Sequence, residues 1–204
     1  MTQAEIIVLA NSVKHGQHCV AGKCISTGNW IRPVSNANGA ELSHEQAKYQ
    51  NPYGTFGVKP LQKIRMGFSQ HVPLSHQPEN YLIDGNLWLQ NYSINEADLV
   101  AHLDTPDNLW GQDNRVQHSL ITMGLYNIDQ SLYLVQVDNL NLYTNDDGKR
   151  RASFDYNGSD YDLAVTDPKF DEIFREQREV HGILCISLGE EYQGYCYKLV
   201  ATIF

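Results

Sequence analysis

The amino-acid sequence predicts a mainly β protein with a few helices, divided into two halves of similar construction. Its apolar residues fall in short runs separated by glycine, asparagine or proline, a pattern typical of strands. Each half also contains one segment in which a capping residue precedes an amphipathic run. With 42% hydrophobic residues among 204, the chain is able to form a packed core in each half.

Three strands are predicted at the start of the chain, at residues 6–10, 19–25 and 30–34. Gly28 and Asn29 lie between the second and third strands, and these residues favour a tight hairpin. The opening of the chain is therefore predicted to be a strand, a turn, a strand and a hairpin.

Further along the first half, residues 56–68 predict a strand pair with one basic face, formed by Lys59, Lys63 and Arg65. Residues 71–84 contain two prolines, which do not fit a regular helix interior, so an extended connector is predicted there.

One helix is predicted in each half. The first covers residues 94–103, with Ser93 as its N-cap and Glu96 as the capping-box partner. The second follows Asp167 as cap, has Pro168 at its first position, and runs to about residue 179.

The second half is otherwise a succession of predicted strands, at residues 119–123, 131–137, 150–156, 160–165, 182–188 and 195–204. The polar segment 107–118 separates the halves, so the predicted domains are residues 1–112 and 113–204. Many short strands with one helix late in each half match two OB-like five-stranded barrels in tandem. A sandwich or a PUA-like barrel would give nearly the same pattern.

Several sequence blocks resemble one known family, the bacterial dual OB-containing domain family. They are LANSVKHGQHCVAG and GNWIRPVS near the start, then HQPENYLID, FDYNGSDYDLAVTDP and the closing LCISLGEEYQGYCYKLVATI. His18 stands where the family pattern has arginine. The resemblance spans nearly the whole chain, and it implies two OB-like barrels and a bacterial conflict or antiviral defence context.

The charge of the chain is uneven. The net charge is −9, but residues 1–83 hold seven Lys and Arg against four acids, so they carry +3 and the remainder −12. This asymmetry favours an anion site in the first half. No apolar run approaches a membrane span, and the N-terminus lacks a signal-peptide pattern, so a cytoplasmic protein without membrane contact is expected.

The cysteine and carboxylate patterns do not favour catalysis or metal binding. Cys19 and Cys24 are not spaced as a zinc pair, and His15 and His18 beside Cys19 do not by themselves define a nucleophile and its base. All four cysteines lie in apolar patterns and are predicted to be buried free thiols. We therefore expect no metal, no cofactor and no catalytic residue.

A stacking surface with cations is the site that the sequence favours. Trp30 and Arg32 are two residues apart on one strand, so their side chains share a face where one stacks on a base and the other meets phosphate. The predicted ligand-binding residues are Lys14, His18, Lys23, Trp30, Arg32 and Lys198. The predicted function is binding of a single-stranded nucleic acid or a nucleotide.

Two alternatives remain open at this point. One is an enzyme that acts on a nucleotide or nucleic acid, with Lys14, His15 or His18 as acid–base groups. The other is a protein–protein adaptor whose barrels recognise a protein partner.

Overall fold

The computed structural model describes residues 2–14, 16–176 and 180–204, and it is mostly β, as the sequence predicts. The chain divides into two compact units, Met1–His102 and Leu103–Phe204. Residues 103–112, which the sequence analysis placed in the first domain, belong to the second unit. The reason is that Leu109 and Trp110 are buried in the core of that unit, so this polar segment is not a linker.

The first unit contains eight described strands and one 3₁₀ helix, Glu96–His102. The strands are β1 (Thr2–Lys14), β2 (Gln17–Cys24), β3 (Trp30–Val34), β4 (Lys48–Asn51), β5 (Gly54–Gly57), β6 (Gln62–His71), β7 (Asn80–Ile83) and β8 (Trp88–Ser93). Five of them form a closed barrel in the order β1-β2-β3-β7-β6, because β6 also pairs with β1. The β3–β7 pairing is parallel and the others are antiparallel, which gives an OB-like barrel.

Strand β1 closes this barrel by pairing with two neighbours. Its residues from Thr2 to Ile7 pair with β6, whereas those from Ile6 to Lys14 pair with β2. The register with β2 shifts between Val8 and Ala10, and such a bulge bends a strand. Opposite this bend, a Cβ atom on Gly22 would lie 2.1 Å from the carbonyl oxygen of Ile7, so only glycine fits.

The second unit contains seven described strands and two short helices. In chain order they are β9 (Arg115–Gln117), α1 (His118–Thr122), β10 (Leu132–Gln136), β11 (Asp138–Thr144), β12 (Arg150–Tyr156), β13 (Ser159–Val165), α2 (Phe170–Glu176), β14 (Ile183–Tyr192) and β15 (Tyr195–Ile203). The strand order is β10-β14-β15-β13-β12-β11, with β9 added beside β15.

The strands of this sheet pair in the same cyclic order as those of the first barrel. Only Val137 separates β10 from β11, so the two act as one bent strand that pairs with β14 at one end and β12 at the other. The register shifts between Asp138 and Asn141, and Asn139 has a positive φ of 52° at this bend. The β13–β15 pairing is parallel, like that of β3 with β7. The prediction of two OB-like barrels is confirmed.

Some predicted elements differ from the structure. Residues 119–123, predicted as a strand, belong largely to α1, because a short apolar run fits either structure and tertiary packing decides between them. The helix predicted at residues 94–103 is a 3₁₀ helix. Strands β4, β5 and β11 were missed because they are short or largely polar.

Each unit has its own apolar core. Ile6, Val8, Ile64, Phe68 and Trp88 are among the buried residues of the first. The second is larger and includes the aromatic residues Phe154, Tyr156, Tyr161 and Phe170. Among the described residues, no helix is both long and apolar enough to cross a membrane.

Asp167 joins the start of α2 to the last strand of the second barrel. Its Oδ1 accepts a hydrogen bond from the backbone N–H of Lys169 at 2.8 Å, and its Oδ2 accepts one from Ile203 at 2.9 Å. The residue is only 3% exposed, and its hydrogen bond with Ile203 is buried, so water does not replace that bond. Asp167 therefore caps the approach to the helix, as the sequence predicts, and also anchors β15.

We predict that Asp167→Ala lowers the free energy of unfolding by about 2–4 kcal/mol, because the buried N–H of Ile203 and the partly buried N–H of Lys169 both lose a charged acceptor. Asp167→Asn, which keeps one acceptor oxygen, is the matched control and is expected to cost less. Urea denaturation at pH 7 measures both variants. An unchanged midpoint for Asp167→Ala would show that the two bonds contribute nothing to stability.

Candidate functional site

Trp30 and Lys23 lie in a row of residues on the outer face of the first barrel. Strand pairing places Trp30, Lys23, Ile7, Lys63 and Tyr92 side by side across β3, β2, β1, β6 and β8. Their chain neighbours Ile6, Cys24, Ile31 and Ile64 belong to the core, so the row faces outward. Each lysine of the row lies beside an aromatic ring: Lys23 Nζ is 5.4 Å from the Trp30 ring and Lys63 Nζ is 4.2 Å from the Tyr92 ring.

This outer row is buried at its Trp30 end. Trp30 is 5% exposed and Lys23 is 7% exposed, whereas Tyr92 is 57% exposed. Lys23 Nζ donates a hydrogen bond of 2.7 Å to the carbonyl of His102, at the end of the 3₁₀ helix. Trp30 therefore does not offer a free stacking face, and Lys23 is engaged by the protein itself.

Arg32 shares the face of Trp30, as the two-residue spacing predicts, but it too is buried, at 8% exposure. Its Nε donates to Glu79 Oε1 at 3.3 Å, and its backbone N–H donates to the Glu79 carbonyl at 2.9 Å. A buried arginine that is already paired with a carboxylate is not available to an external phosphate. The expectation that Trp30 and Arg32 form an exposed site conflicts with this burial.

His18 is half-buried in β2 and contacts two polar side chains. Its Nδ1 lies 2.9 Å from Asn11 Oδ1, and its Nε2 lies 3.3 Å from His44 Nδ1. Burial, and then the nearby His44, lower the pKa of His18 below 6.5. Lys14 ends β1, but its side chain, like all of His15, lies outside the described part of the structure.

Lys198 lies in the second unit, far in sequence from the other predicted residues. It alternates along β15 with Tyr197 and so points to the same side as the core residues Cys196 and Val200. The residue is 2% exposed, and its Nζ donates to the carbonyl of Gly111 at 2.6 Å. Burial lowers the pKa of Lys198 to about 8, so this lysine is a structural group at the end of the core.

An open groove of about 750 Å³ lies beside Lys198 in the second unit. We call it the Arg115–tyrosine groove, and it is lined by residues 110–117, Leu120, Tyr126, Tyr195 and Tyr197. Part of its lining is formed by β9 and the start of β15, two strands that pair directly. Its volume falls within the range typical of small-ligand sites.

The guanidinium of Arg115 lies over two aromatic rings in this groove. Its guanidinium carbon lies 4.0 Å from the centre of the Tyr195 ring and 5.7 Å from that of Tyr197. Its Nη1 donates to the Tyr197 hydroxyl at 3.1 Å, and this hydrogen bond raises the pKa of Arg115. Tyr192, 63% exposed, extends the aromatic surface on the β14–β15 hairpin. The arrangement is suited to planar, electron-rich ligands.

The floor of the groove is built from a constrained turn. Trp110 and Gly111 both have positive φ, at 53° and 85°. The Trp110 indole N–H donates to the carbonyl of Gln130 at 2.9 Å, and the Gly111 carbonyl accepts from Tyr161 as well as Lys198. These bonds hold a conformation that tryptophan rarely adopts, so the floor is rigid.

A second, smaller pocket of about 320 Å³ adjoins the groove and is acidic. Its lining includes Asp113, Asp160 and Asp162, with Arg151 as the basic residue. Arg151 Nε donates to Asp162 Oδ1 at 3.1 Å, so its charge is already compensated. The outer face of β12 and β13 therefore disfavours phosphate.

Arg115, Tyr195 and Tyr197 are not among the residues predicted from the sequence. Arg115 lies in the polar segment that was predicted to separate the halves, and it is 82 residues from the tyrosine to which it bonds. The available signal was the spacing of Tyr195 and Tyr197, which places both rings on one face of the last strand.

The fold and the groove define a tandem OB-barrel protein with a cation–aromatic surface on its second barrel. A family model described as the dual OB-containing domain matches residues 4–203, and the chain belongs to this family. No curated protein matches the sequence. Among solved structures, the crystal structure of the tetrameric p202 HIN2 is similar with a TM-score of 0.31 and 10% identity, over 98% of this chain and 88% of that one.

We predict that the buried Lys198 makes stability rise with pH between about 8 and 10.5. Its folded pKa is below the unfolded value of 10.5, so in this window the unfolded chain binds more protons than the folded one. Urea denaturation across this range should show the rise for the wild type relative to Lys198→Met, which lacks the titrating group. Parallel pH profiles for the two proteins would contradict the prediction.

Proposed function

We propose that the protein binds single-stranded nucleic acid through the Arg115–tyrosine groove of its second barrel. The observation that carries this proposal is the exposed guanidinium of Arg115, stacked on Tyr195 and hydrogen-bonded to Tyr197 at the edge of an open groove. Unpaired bases stack on aromatic rings and on arginine planes, whereas bases in a duplex are already stacked. The groove therefore favours a single strand.

Stacking, rather than charge, is expected to provide most of the affinity. Arg115 is the basic residue among the described lining residues, and Asp113 lies in the same lining. A guanidinium carries five N–H donors, and the structure shows one of them donated to Tyr197. Arg115 thus supplies a single phosphate contact, while the tyrosines supply ring surface for successive bases.

The neighbouring surfaces support a path along β9 and β15. Many OB barrels bind on the face of their second and third strands, which here are β12 and β13. That face carries Asp160 and Asp162, and on the second and third strands of the first barrel Lys23 and Arg32 are buried. A phosphate chain is therefore favoured on the side of the second barrel where Arg115 lies.

Membership of the dual OB family agrees with this proposal, because OB barrels commonly bind single strands or nucleotides. A free nucleotide would occupy one base position of the same groove. The family resemblance also implies a role in bacterial conflict or antiviral defence. This role is part of the proposal, with nucleic acid as the recognised ligand.

We predict that Tyr195→Ala weakens binding of a short labelled single-stranded oligonucleotide by about 1–3 kcal/mol, because one stacking partner is lost. Arg115→Ala is expected to weaken binding and also to flatten the salt dependence by about 0.7 in log–log slope, since one phosphate contact disappears. Arg115→Lys keeps the charge but not the planar face, so it should restore the slope and not the full affinity. Fluorescence polarisation across a salt series, with DNA and RNA probes, measures these changes.

Tyr53→Ala is the matched control, because Tyr53 is 89% exposed and lies in the first unit. It is expected to leave the affinity unchanged. Binding that is absent at low salt, or that is equally weakened by Tyr53→Ala and Tyr195→Ala, would overturn the proposal. A single nucleotide that competes fully at low concentration would favour nucleotide binding over strand binding.

A further inference from the structure

A pair of histidines in the first barrel forms a second arrangement with its own chemistry. His18 lies in β2, and His44 lies in the turn region between β3 and β4. The two segments are fixed to each other by backbone hydrogen bonds, since His18 N–H donates to the Leu42 carbonyl at 2.8 Å and Leu42 N–H donates to the His18 carbonyl at 2.9 Å. These backbone bonds therefore hold the imidazole rings of His18 and His44 next to each other.

The hydrogen bonds of Asn11 determine which nitrogen of His18 carries a proton. The Asn11 Nδ2 group donates to the carbonyl of Val58 at 2.6 Å, which leaves its Oδ1 facing His18 Nδ1 at 2.9 Å. An amide oxygen only accepts, so His18 Nδ1 is the donor and Nε2 of the neutral ring has a lone pair. That lone pair points towards His44 Nδ1.

The separation of the two facing nitrogens matches a shared metal ion. His18 Nε2 and His44 Nδ1 are 3.3 Å apart. Two imidazole nitrogens bound tetrahedrally at about 2.0–2.1 Å from one zinc ion lie about 3.3 Å apart. A metal-binding histidine commonly donates a hydrogen bond from its second ring nitrogen to a partner that orients the ring. Asn11 is in this position relative to His18.

We propose that His18 and His44 form a binding site for one divalent transition-metal ion of the class that prefers imidazole, such as Cu²⁺, Zn²⁺ or Ni²⁺. His44 is exposed and His18 is half-buried, so water completes the coordination. The ion would connect the start of β2 to the turn before β4 and so stabilise the first barrel. This site is independent of the Arg115–tyrosine groove, which lies in the other unit.

The spacing of residues in the sequence did not indicate this site. The metal hypothesis drawn from the sequence rested on His15, His18, Cys19 and Cys24, which are close along the chain. His44 is 26 residues beyond His18, and the backbone bridge between His18 and Leu42 brings the two rings together.

The test is metal titration of the tag-free, chelator-treated full chain by isothermal titration calorimetry, with Zn²⁺, Ni²⁺, Cu²⁺ and Mg²⁺ in separate experiments. We expect one Zn²⁺ per chain, tighter binding of Cu²⁺ and no binding of Mg²⁺, following the preferences of imidazole. His18→Gln and His44→Gln should each weaken binding at least tenfold. His71→Gln is the matched control, because His71 is an exposed histidine of the same unit, and it should bind as the wild type does.

A spectroscopic readout identifies the ligands directly. The electron paramagnetic resonance spectrum of bound Cu²⁺ should show coupling to two imidazole nitrogens in the wild type and to one in His44→Gln. His44 is exposed in a turn, so this variant keeps the test valid if His18→Gln fails to fold. Zn²⁺ binding that is unaffected in His44→Gln, or no binding of any of the three ions, would overturn the proposal and leave the pair as a simple hydrogen bond.

Discussion

Both barrels depend on one strand that bends enough to pair with two different neighbours. In the first barrel β1 joins β6 to β2, and in the second β10 and β11 do the same for β14 and β12. A regular strand does not bend enough to do this, so each of these strands contains an irregularity. The register shifts after Val8 in the first barrel and after Asp138 in the second, where Asn139 has a positive φ. Gly22 also permits the bend, because the backbone of Ile7 approaches it too closely for any side chain at this position. Without these bends the sheets would stay open and keep unpaired edges.

Closure of the barrels determines which cations are available to a ligand. Alternate residues of each strand fill the barrel, and the others form its outer surface. In the first barrel the outer residues Trp30, Lys23 and Arg32 are buried and bonded within the protein. In the second barrel, β9 adds to β15 beside the hairpin that carries Tyr192 and leaves Arg115 exposed on a tyrosine surface. Cation–aromatic packing is thus buried at Trp30 and Lys23 of the first barrel, whereas it is accessible at Arg115 of the second.

The sequence was sufficient for the strand-rich architecture, because short apolar runs and turn residues are local signals. It also placed Trp30 and Arg32 on one face, since side-chain alternation follows from the strand alone. It did not show that this face is covered, because the cover comes from His102 and Glu79, which are distant in sequence. Arg115 and His44 were missed for the same reason: each acquires its role from a partner on another strand. The predicted site differs from the observed groove because burial and contacts between residues distant in sequence decide which side chains are accessible. Residue type alone does not reveal either.

The rigid floor of the groove gives the second barrel an advantage in binding a flexible strand. A single strand loses conformational freedom when it binds, and a mobile protein surface would add its own ordering cost to this loss. Here the strained Trp110–Gly111 turn is fixed before any ligand arrives, by Gln130, Tyr161 and Lys198. Lys198 also donates its backbone N–H to the carbonyl of Asn114, immediately before Arg115. Two hydrogen bonds of the same buried lysine therefore fix both the floor of the groove and the residue that precedes Arg115, so the site that presents the guanidinium is anchored to the barrel core.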